Sequence, residues 1–395
     1  MSVSNPPCAA PVRSPHVLTL TPFYPCAADN ASGCFVYEPL LWLAKLGLQQ
    51  TVFAVQPLYR GRVRSNASDM PVEWFRYAAF PGGLGLPTAG AFVFARIVGR
   101  VRELHRVQRI DLIHAHGALP CGHAAMLLSR ELNIPYVVSV HGLDAFSTVQ
   151  VSGRSGEWCR RISQHAYFAS RRVICVSEHV REQVLEGTGK NCRTSVVYNG
   201  VDPEMFSPGD VPFSADPVVL SVGNLIPIKG YEVLIRAIAA IAPEFPSVAL
   251  EIVGDGPEQG RLQALAQRLQ VSDRVRFLGR QSRPQVALTM RGCTVFALPS
   301  RYEGLGCVYL EAMSAGRPVI GCRGQGIAEI IQHGTNGFLV GPDNERELSL
   351  ALSMLLRDEE RRRNLGTVAR RTILEGFTLA DQAERLARIY RKCAV

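Results

Sequence analysis

Short apolar runs, each followed by a loop and then by a stretch of helical periodicity, recur along this chain in two successive series. That alternation constrains the fold more than any other feature, because buried strands joined by crossover helices belong in parallel sheets covered on both faces. The first series of strand-like runs is 16–20, 51–55, 110–116, 134–140, 172–177 and 195–197. The second is 218–222, 249–253, 275–279, 294–298, 318–321 and 336–340. Helical patterns fall at 33–46, 91–109, 231–241, 258–269, 345–356, 359–377 and 378–392. Residues 60–90 show no sustained period and read as a long loop. The turn NGVD at 199–202 closes the first half, and 203–217, rich in proline, reads as a linker. The expectation is two Rossmann-like α/β domains, 16–202 and 218–377, with a lead-in over 1–15.

Composition narrows the function classes. The chain has 395 residues, 47% of them hydrophobic and 19% charged, which suits large buried sheets. No apolar run reaches the ~18 to 20 residues that a membrane span requires. The lead-in has no apolar signal-peptide core. Eleven cysteines without a C-x-x-C pair match neither a disulfide framework nor a zinc site, so a reducing cytoplasm is expected. The net charge of +9 falls mainly in the first half. No nucleic-acid module accompanies it, which argues against RNA or DNA as partner. The arginine-rich helix at 91–109 packs on the sheet by its apolar face; its charge raises peripheral contact with an anionic membrane as a second reading. His114 and His116 share one side of a strand, but no third ligand is evident, so packing or hydrogen bonding is expected rather than a metal.

One stretch carries the chemistry. PSRYEGLGCVYLEAMSAGRPVIG at 299–321 holds Glu303 and Glu311, with Gly304 and Gly306 between them. The apolar run before it is a strand, so the loop lies at a strand's carboxyl end and a helix begins near Gly306 or Cys307. That is where an open α/β sheet binds ligands, and where free amides and the helix dipole attract phosphate. A carboxylate repels phosphate, so the partners of Glu303 and Glu311 should be neutral hydroxyls.

With its surrounding string, this pair resembles the signature of the family 4 retaining glycosyltransferases, which have the two-domain GT-B fold. HGLD at 141–144 resembles the family's second motif, whose histidine, here His141, lies beside the transferred sugar. VGNLIPIKG at 222–230 resembles the third, which implies Lys229 on the donor diphosphate; where the family has an arginine this chain has Asn224. The glycine-rich loop after the first strand is represented only by Gly33. Arg280 and Gln281 lie where family members hold the nucleobase, and RGQGIAE at 323–329 is an approximate match to another glycine-rich turn, expected to open a helix. In this fold the last helix, 378–395, crosses back onto the first domain. The resemblance implies a UDP- or GDP-sugar donor, a glycan or lipid-linked acceptor, and no cofactor or metal.

The chemistry follows from those parts. Breaking an anomeric carbon to phosphate bond puts negative charge on the leaving diphosphate, so a cationic or dipolar holder is needed. Lys229 and the amides of Leu305, Gly306 and Cys307 are the candidates. Glu303 then holds hexose hydroxyls, Glu311 the ribose and His141 the sugar's edge, with retention by same-face attack as the implied course. A sugar-nucleotide epimerase of the same fold and a catalytically silent nucleotide-sugar binder remain as rivals. A nicotinamide-dependent oxidoreductase is disfavoured, because no complete G-x-G-x-x-G follows any strand.

Overall fold

The computed structural model describes residues 14–26, 32–61, 70–81, 83, 85–147, 151–209 and 216–394. The lead-in over 1–13, residues 27–31 of the first loop, 82 and 84 of the glycine-rich string, and 210–215 of the expected linker lie outside the described residues.

The first half contains β1 (His16–Thr21), α1 (Cys34–Lys45), β2 (Gln49–Pro57), β3 (Val72–Tyr77), α2 (Leu86–Val107), β4 (Leu112–His116), α3 (His123–Leu132), β5 (Tyr136–Val140), α4 (Gly153–Ala169), β6 (Arg172–Cys175), α5 (Glu178–Gly187) and β7 (Thr194–Val196). The second contains β8 (Val218–Val222), α6 (Tyr231–Ile241), β9 (Ala249–Val253), α7 (Gln259–Arg268), β10 (Val275–Gly279), α8 (Arg283–Gly292), β11 (Val295–Ala297), α9 (Cys307–Ser314), β12 (Val319–Cys322), β13 (Phe338–Val340), α10 (Glu345–Arg357) and α11 (Glu359–Leu374). The chain ends in α12 (Leu379–Cys393).

Two sheets form, ordered β3-β2-β1-β4-β5-β6-β7 and β10-β9-β8-β11-β12-β13. Every strand pairing in them is parallel. Strands β1, β4 and β5 are buried along their whole length, as helices on both sheet faces require.

Helix α12 returns to the first half. A capping box between Thr378 and Asp381 starts it, and Val201 bridges Thr378 beside that start. Ala383, Leu386, Ala387, Tyr390 and Cys393 recur at helical spacing and enter one core with Val17, Leu40 and Leu43 of β1 and α1. Burial of each large side chain there contributes about 1.5–3 kcal/mol. The Tyr390 hydroxyl also lies 2.6 Å from His114 Nδ1.

Three expectations need correction. The 60–90 stretch contains β3, an edge strand of six residues whose Phe75 and Tyr77 alone are buried; so short a half-buried run barely shows its period. Helices α3, α4, α5 and α8 are unassigned from sequence; α8 opens with a Ser282–Gln285 capping box and a proline in its first turn. The 323–329 turn opens no α-helix but one tight 3-10 turn, Gly326–Glu329.

Candidate active site

Strand order explains why distant motifs meet. In the second sheet the chain reverses direction of growth between β8 and β11, which are neighbours, so the loops after them flank the switch-point crevice. The loop after β8 ends in a single turn, Pro227–Lys229, closed by Gly230 at φ 70°. A Cβ on Gly230 would lie 2.1 Å from the Pro299 carbonyl oxygen, so only glycine lets this loop seat against the loop after β11. Arg301 N–H donates to the Ile228 carbonyl at 2.7 Å and stitches the two together. Lys229 Nζ consequently lies 2.5 Å from Glu303 Oε2, with both side chains largely buried at 16% and 14% exposure.

Asn224 is exposed on the same loop. Arg301 reaches this region, but its guanidinium is already paired with Asp343 and Glu232. It does not stand as a free replacement for the arginine missing at 224.

Gly306 precedes α9 in a left-handed conformation and supplies no side-chain cap. The first turn of α9 therefore has no capping side chain, and of its amides that of Tyr309 bonds the Gly306 carbonyl at 3.0 Å. Leu305 is buried, and a Cβ on Gly306 would press into the Tyr309 ring and Glu303 Cγ. One helical turn further on, the buried Glu311 is bonded by Arg283 Nη1 from the start of α8. Arg283 also forms a two-pronged pair with Glu38 of α1, at 2.9 and 3.0 Å, and lies over the Phe206 ring. One guanidinium thus joins carboxylates from both halves of the molecule. Burial pushes the Glu38 carboxyl above its ordinary range, against the pull of Arg283.

On the first half, His141 follows β5. Its ring lies parallel to His116, with centroids 5.3 Å apart, and meets Phe35 edge-on at 4.7 Å. His116 Nδ1 and His141 Nε2 are 3.1 Å apart. His114 Nε2 lies 2.7 Å from Ser139 Oγ. Burial holds all three imidazoles below their ordinary pKa, so they are neutral near pH 7. The His141 backbone N–H donates to Asp144 Oδ1 at 2.9 Å, while the ring Nδ1 has no partner. The His141 main chain borders the Glu303 loop: a Cβ on Gly304 would lie 2.1 Å from its carbonyl oxygen. The ring itself turns into the aromatic cluster of the first half.

Cys307 opens α9 and accepts from Asn199 Nδ2 at 3.3 Å. Burial raises its thiol pKa and pushes that of Cys34 up to about 12. Both remain protonated and are poor nucleophiles. Gly33, at φ 78°, packs so closely on Phe23 and Tyr24 that a Cβ would clash with their backbone, which gives this glycine a structural reason. Arg280 pairs with Asp255 at 2.7 Å, and Gln281 accepts from Thr289 at 2.9 Å. Both lie at the carboxyl end of β10, on the rim rather than beside Glu303.

Sequence reasoning missed Glu38 and Arg283, and it marked Glu329 only as the end of an approximate motif match. Glu329 accepts from the backbone N–H groups of Glu178 and His179 at 2.8 and 2.7 Å, and from the Tyr198 hydroxyl at 2.9 Å. It caps a first-half helix from the second half. Ser177 Oγ donates to the Gly304 carbonyl at 2.6 Å, and the Tyr302 hydroxyl to Gln183 at 2.8 Å. The crevice is thereby closed by contacts from several elements.

Known proteins agree with this architecture. The family model for glycosyltransferase family 4 matches residues 35–205, and that for glycosyl transferases group 1 matches 208–372. An uncharacterized glycosyltransferase of Methanocaldococcus jannaschii is 36% identical over 258 residues, covering 65% of this chain and 68% of that protein. Sucrose-phosphate synthase from Thermosynechococcus elongatus superposes with a TM-score of 0.79 at 23% identity, over 96% of this chain and 99% of the other. Anabaena HepE in complex with UDP-glucose superposes with a TM-score of 0.72 at 23% identity, over 95% and 99%. Two facing parallel-sheet domains and a returning final helix are the GT-B fold, and with these matches the chain is a member of glycosyltransferase family 4.

Proposed function

We propose that the protein transfers a hexosyl-type sugar from a UDP- or GDP-sugar to a glycan or lipid-linked acceptor, with retention of anomeric configuration and without a divalent metal. The observation that carries this reading is the buried Lys229–Glu303 pair at the switch point, beside the amides that open α9. A similar fold holds UDP-glucose in HepE. In the proposed complex Lys229 turns from Glu303 to the diphosphate, and the freed Glu303 accepts from hexose hydroxyls. Glu311 exchanges Arg283 for the ribose. His141 borders the sugar through its main chain, and Arg280 and Gln281 border the base.

The bond between the anomeric carbon and the diphosphate oxygen breaks while the acceptor oxygen bonds that carbon from the same face. The acceptor's proton passes to the leaving diphosphate. A double displacement would instead need a carboxylate or other nucleophile on the opposite face of the sugar, a place this reading assigns to no residue. The free state of every described cysteine suits the reducing cytoplasm proposed as the site of action.

The test has two stages. A thermal-shift panel of UDP, GDP and ADP sugars identifies the donor, since a ligand at 100 times its Kd adds roughly 2.7 kcal/mol of stability. Proton NMR then follows slow donor hydrolysis before the released sugar mutarotates. Release of the donor's own anomer is expected; the opposite anomer would refute retention, and an epimer of the intact donor would favour the epimerase.

A further inference from the structure

Two contacts hold the Arg283 guanidinium and leave one of its nitrogens able to change partner. Its Nε and Nη2 donate side by side to the two carboxylate oxygens of Glu38, at 2.9 and 3.0 Å, a geometry that fixes orientation as well as charge. Its central carbon stands 4.8 Å over the buried Phe206 ring, which fixes its plane. Nη1 lies outside both contacts and donates to Glu311. When Glu311 turns to a ribose, Nη1 loses its acceptor while the rest of the guanidinium stays in place. A charged donor left without an acceptor in a buried site is costly, so Nη1 requires a new one.

The place where Nη1 is released is electropositive. Glu38 follows Cys34 by one turn of α1, and Glu311 follows Cys307 by one turn of α9. A guanidinium that joins the two glutamates therefore stands one turn beyond both helix starts. Each start follows a left-handed glycine, Gly33 or Gly306, with no capping side chain and no acidic residue in the first turn, which leaves the positive end of each helix dipole uncompensated. Burial pushes the Cys34 and Cys307 thiols up, and the charge of Arg283 pulls on both, so the guanidinium is close to the first residue of each helix. Arg301 is paired with Glu232 and Asp343, and Arg280 with Asp255. A diphosphate carries two negative charges, of which Lys229 meets one.

We propose that Arg283 is the second cation of the donor diphosphate: on donor binding its Nη1 passes from Glu311 to a diphosphate oxygen, while Glu38, from the other half of the molecule, keeps the guanidinium in place. This assignment rests on the transferase reading above and adds a binding residue to it. Ribose and phosphate are then bound in one event, since Glu311 reaches the ribose as Nη1 finds its new acceptor. The same nitrogen faces the charge that grows on the leaving diphosphate.

The experiment titrates the full chain, wild type and Arg283→Gln, with uridine and UDP, or with guanosine and GDP where the donor panel selects guanine. Glutamine releases Glu311 without supplying charge. The nucleoside should bind at least as tightly as to wild type, and the diphosphate at least tenfold more weakly. Equal losses for both ligands would make Arg283 a structural strut, and a diphosphate bound as tightly as before would make it only a competitor for Glu311; either result overturns the assignment. Arg283→Gln leaves two buried carboxylates uncompensated, so the comparison is repeated between Glu38→Gln and the double variant Glu38→Gln/Arg283→Gln. The diphosphate should again lose at least tenfold between them and the nucleoside nothing, with the same contrary outcomes. If wild type binds the diphosphate and the variants depart from this pattern, only the role of Arg283 falls. If wild type binds neither nucleotide nor nucleotide sugar, the transferase reading falls and takes this assignment with it.

Discussion

Lys229 and Glu303 neutralise each other at 2.5 Å, and Arg283 is shared between two carboxylates. The crevice therefore holds three acidic and two basic side chains, and in the proposed complex a donor dianion meets cations already in use. Partner exchange is the step that proposal requires, and it separates the roles assigned to the two signature glutamates. Glu311→Ala should weaken free nucleotide far more than Glu303→Ala, because a ribose contact acts on substrate and product alike while a hexose contact acts on the sugar alone. Calorimetric titration with UDP or GDP checks this, and equal losses would refute the roles. Arg283 carries a second expectation. Removing one partner of a buried ionic cluster leaves uncompensated charge and costs about 3–5 kcal/mol. Arg283→Ala should therefore lower stability on that scale in urea unfolding, and adding Glu38→Gln should restore part of it; strictly additive losses would show that Glu38 and Arg283 are not coupled. Glu303 and Glu311 could be read from the chain because a fixed spacing across a glycine-broken loop and the helix it opens marks both. Arg283 could not, since its partner Glu38 is 245 positions away and nothing local marks the pair.

At the scale of elements, the buried His114 and His116 of β4 and the half-buried His141 after β5 form a neutral row. Their folded pKa values lie below the ordinary 6.5, that of His114 at about 3, chiefly through burial. Below pH 6.5 the unfolded chain takes up protons that the folded chain refuses. The stability they contribute is fully present above that pH and is lost as pH falls towards the folded values. His114 alone should cost up to about 1.4 kcal/mol per pH unit below 6.5, and His116 and His141 add to the loss in the same direction. Urea midpoints between pH 7.5 and 5.5 measure it, and a flat profile would contradict the burial of this row. Helix α2 carries a different test. Arg100 pairs with Glu73 and Glu103, Arg102 with Glu131, and Arg109 beyond its end with Asp111, so much of its charge is spent within the protein. What remains should give weak co-sedimentation with anionic vesicles at low salt and little with neutral ones, each free arginine contributing up to about 1 kcal/mol. Equal behaviour with both lipids would leave α2 as a packed helix. The apolar strands were readable because parallel strands buried on both faces are continuous runs. Edge strand β3 was not, as only part of it is buried. Helix α8 did carry a local signal, its serine cap with a proline and a glutamine in the first turn.

In the whole molecule, the two sheets meet through contacts that no single-domain pattern encodes. Glu329 caps α5, Ser177 bonds the Gly304 carbonyl, and Tyr302 bonds Gln183. The alternation of strands and helices showed two Rossmann-like halves, and the motifs showed which loops matter. How those halves face each other depends on side chains more than a hundred residues apart, each unremarkable in its own segment. This closed arrangement places Lys229, Glu303 and the opening of α9 in one crevice, and the proposed function assigns the donor diphosphate to the protein's own charges. A helix N-terminus counts as about half a unit charge and does not hold a dianion alone, so the proposal makes Lys229 the indispensable cation. The chain has no Asp-x-Asp pair of the kind that holds a metal against the donor. The most direct test is sugar release or transfer from the identified donor, by wild type and Lys229→Ala, in excess chelator. Wild type should keep its turnover, and Lys229→Ala should lose at least tenfold, about 1.4 kcal/mol of transition-state stabilisation, with no rescue by magnesium. Wild-type activity that disappears in chelator and returns with Mg²⁺ or Mn²⁺ would contradict the account.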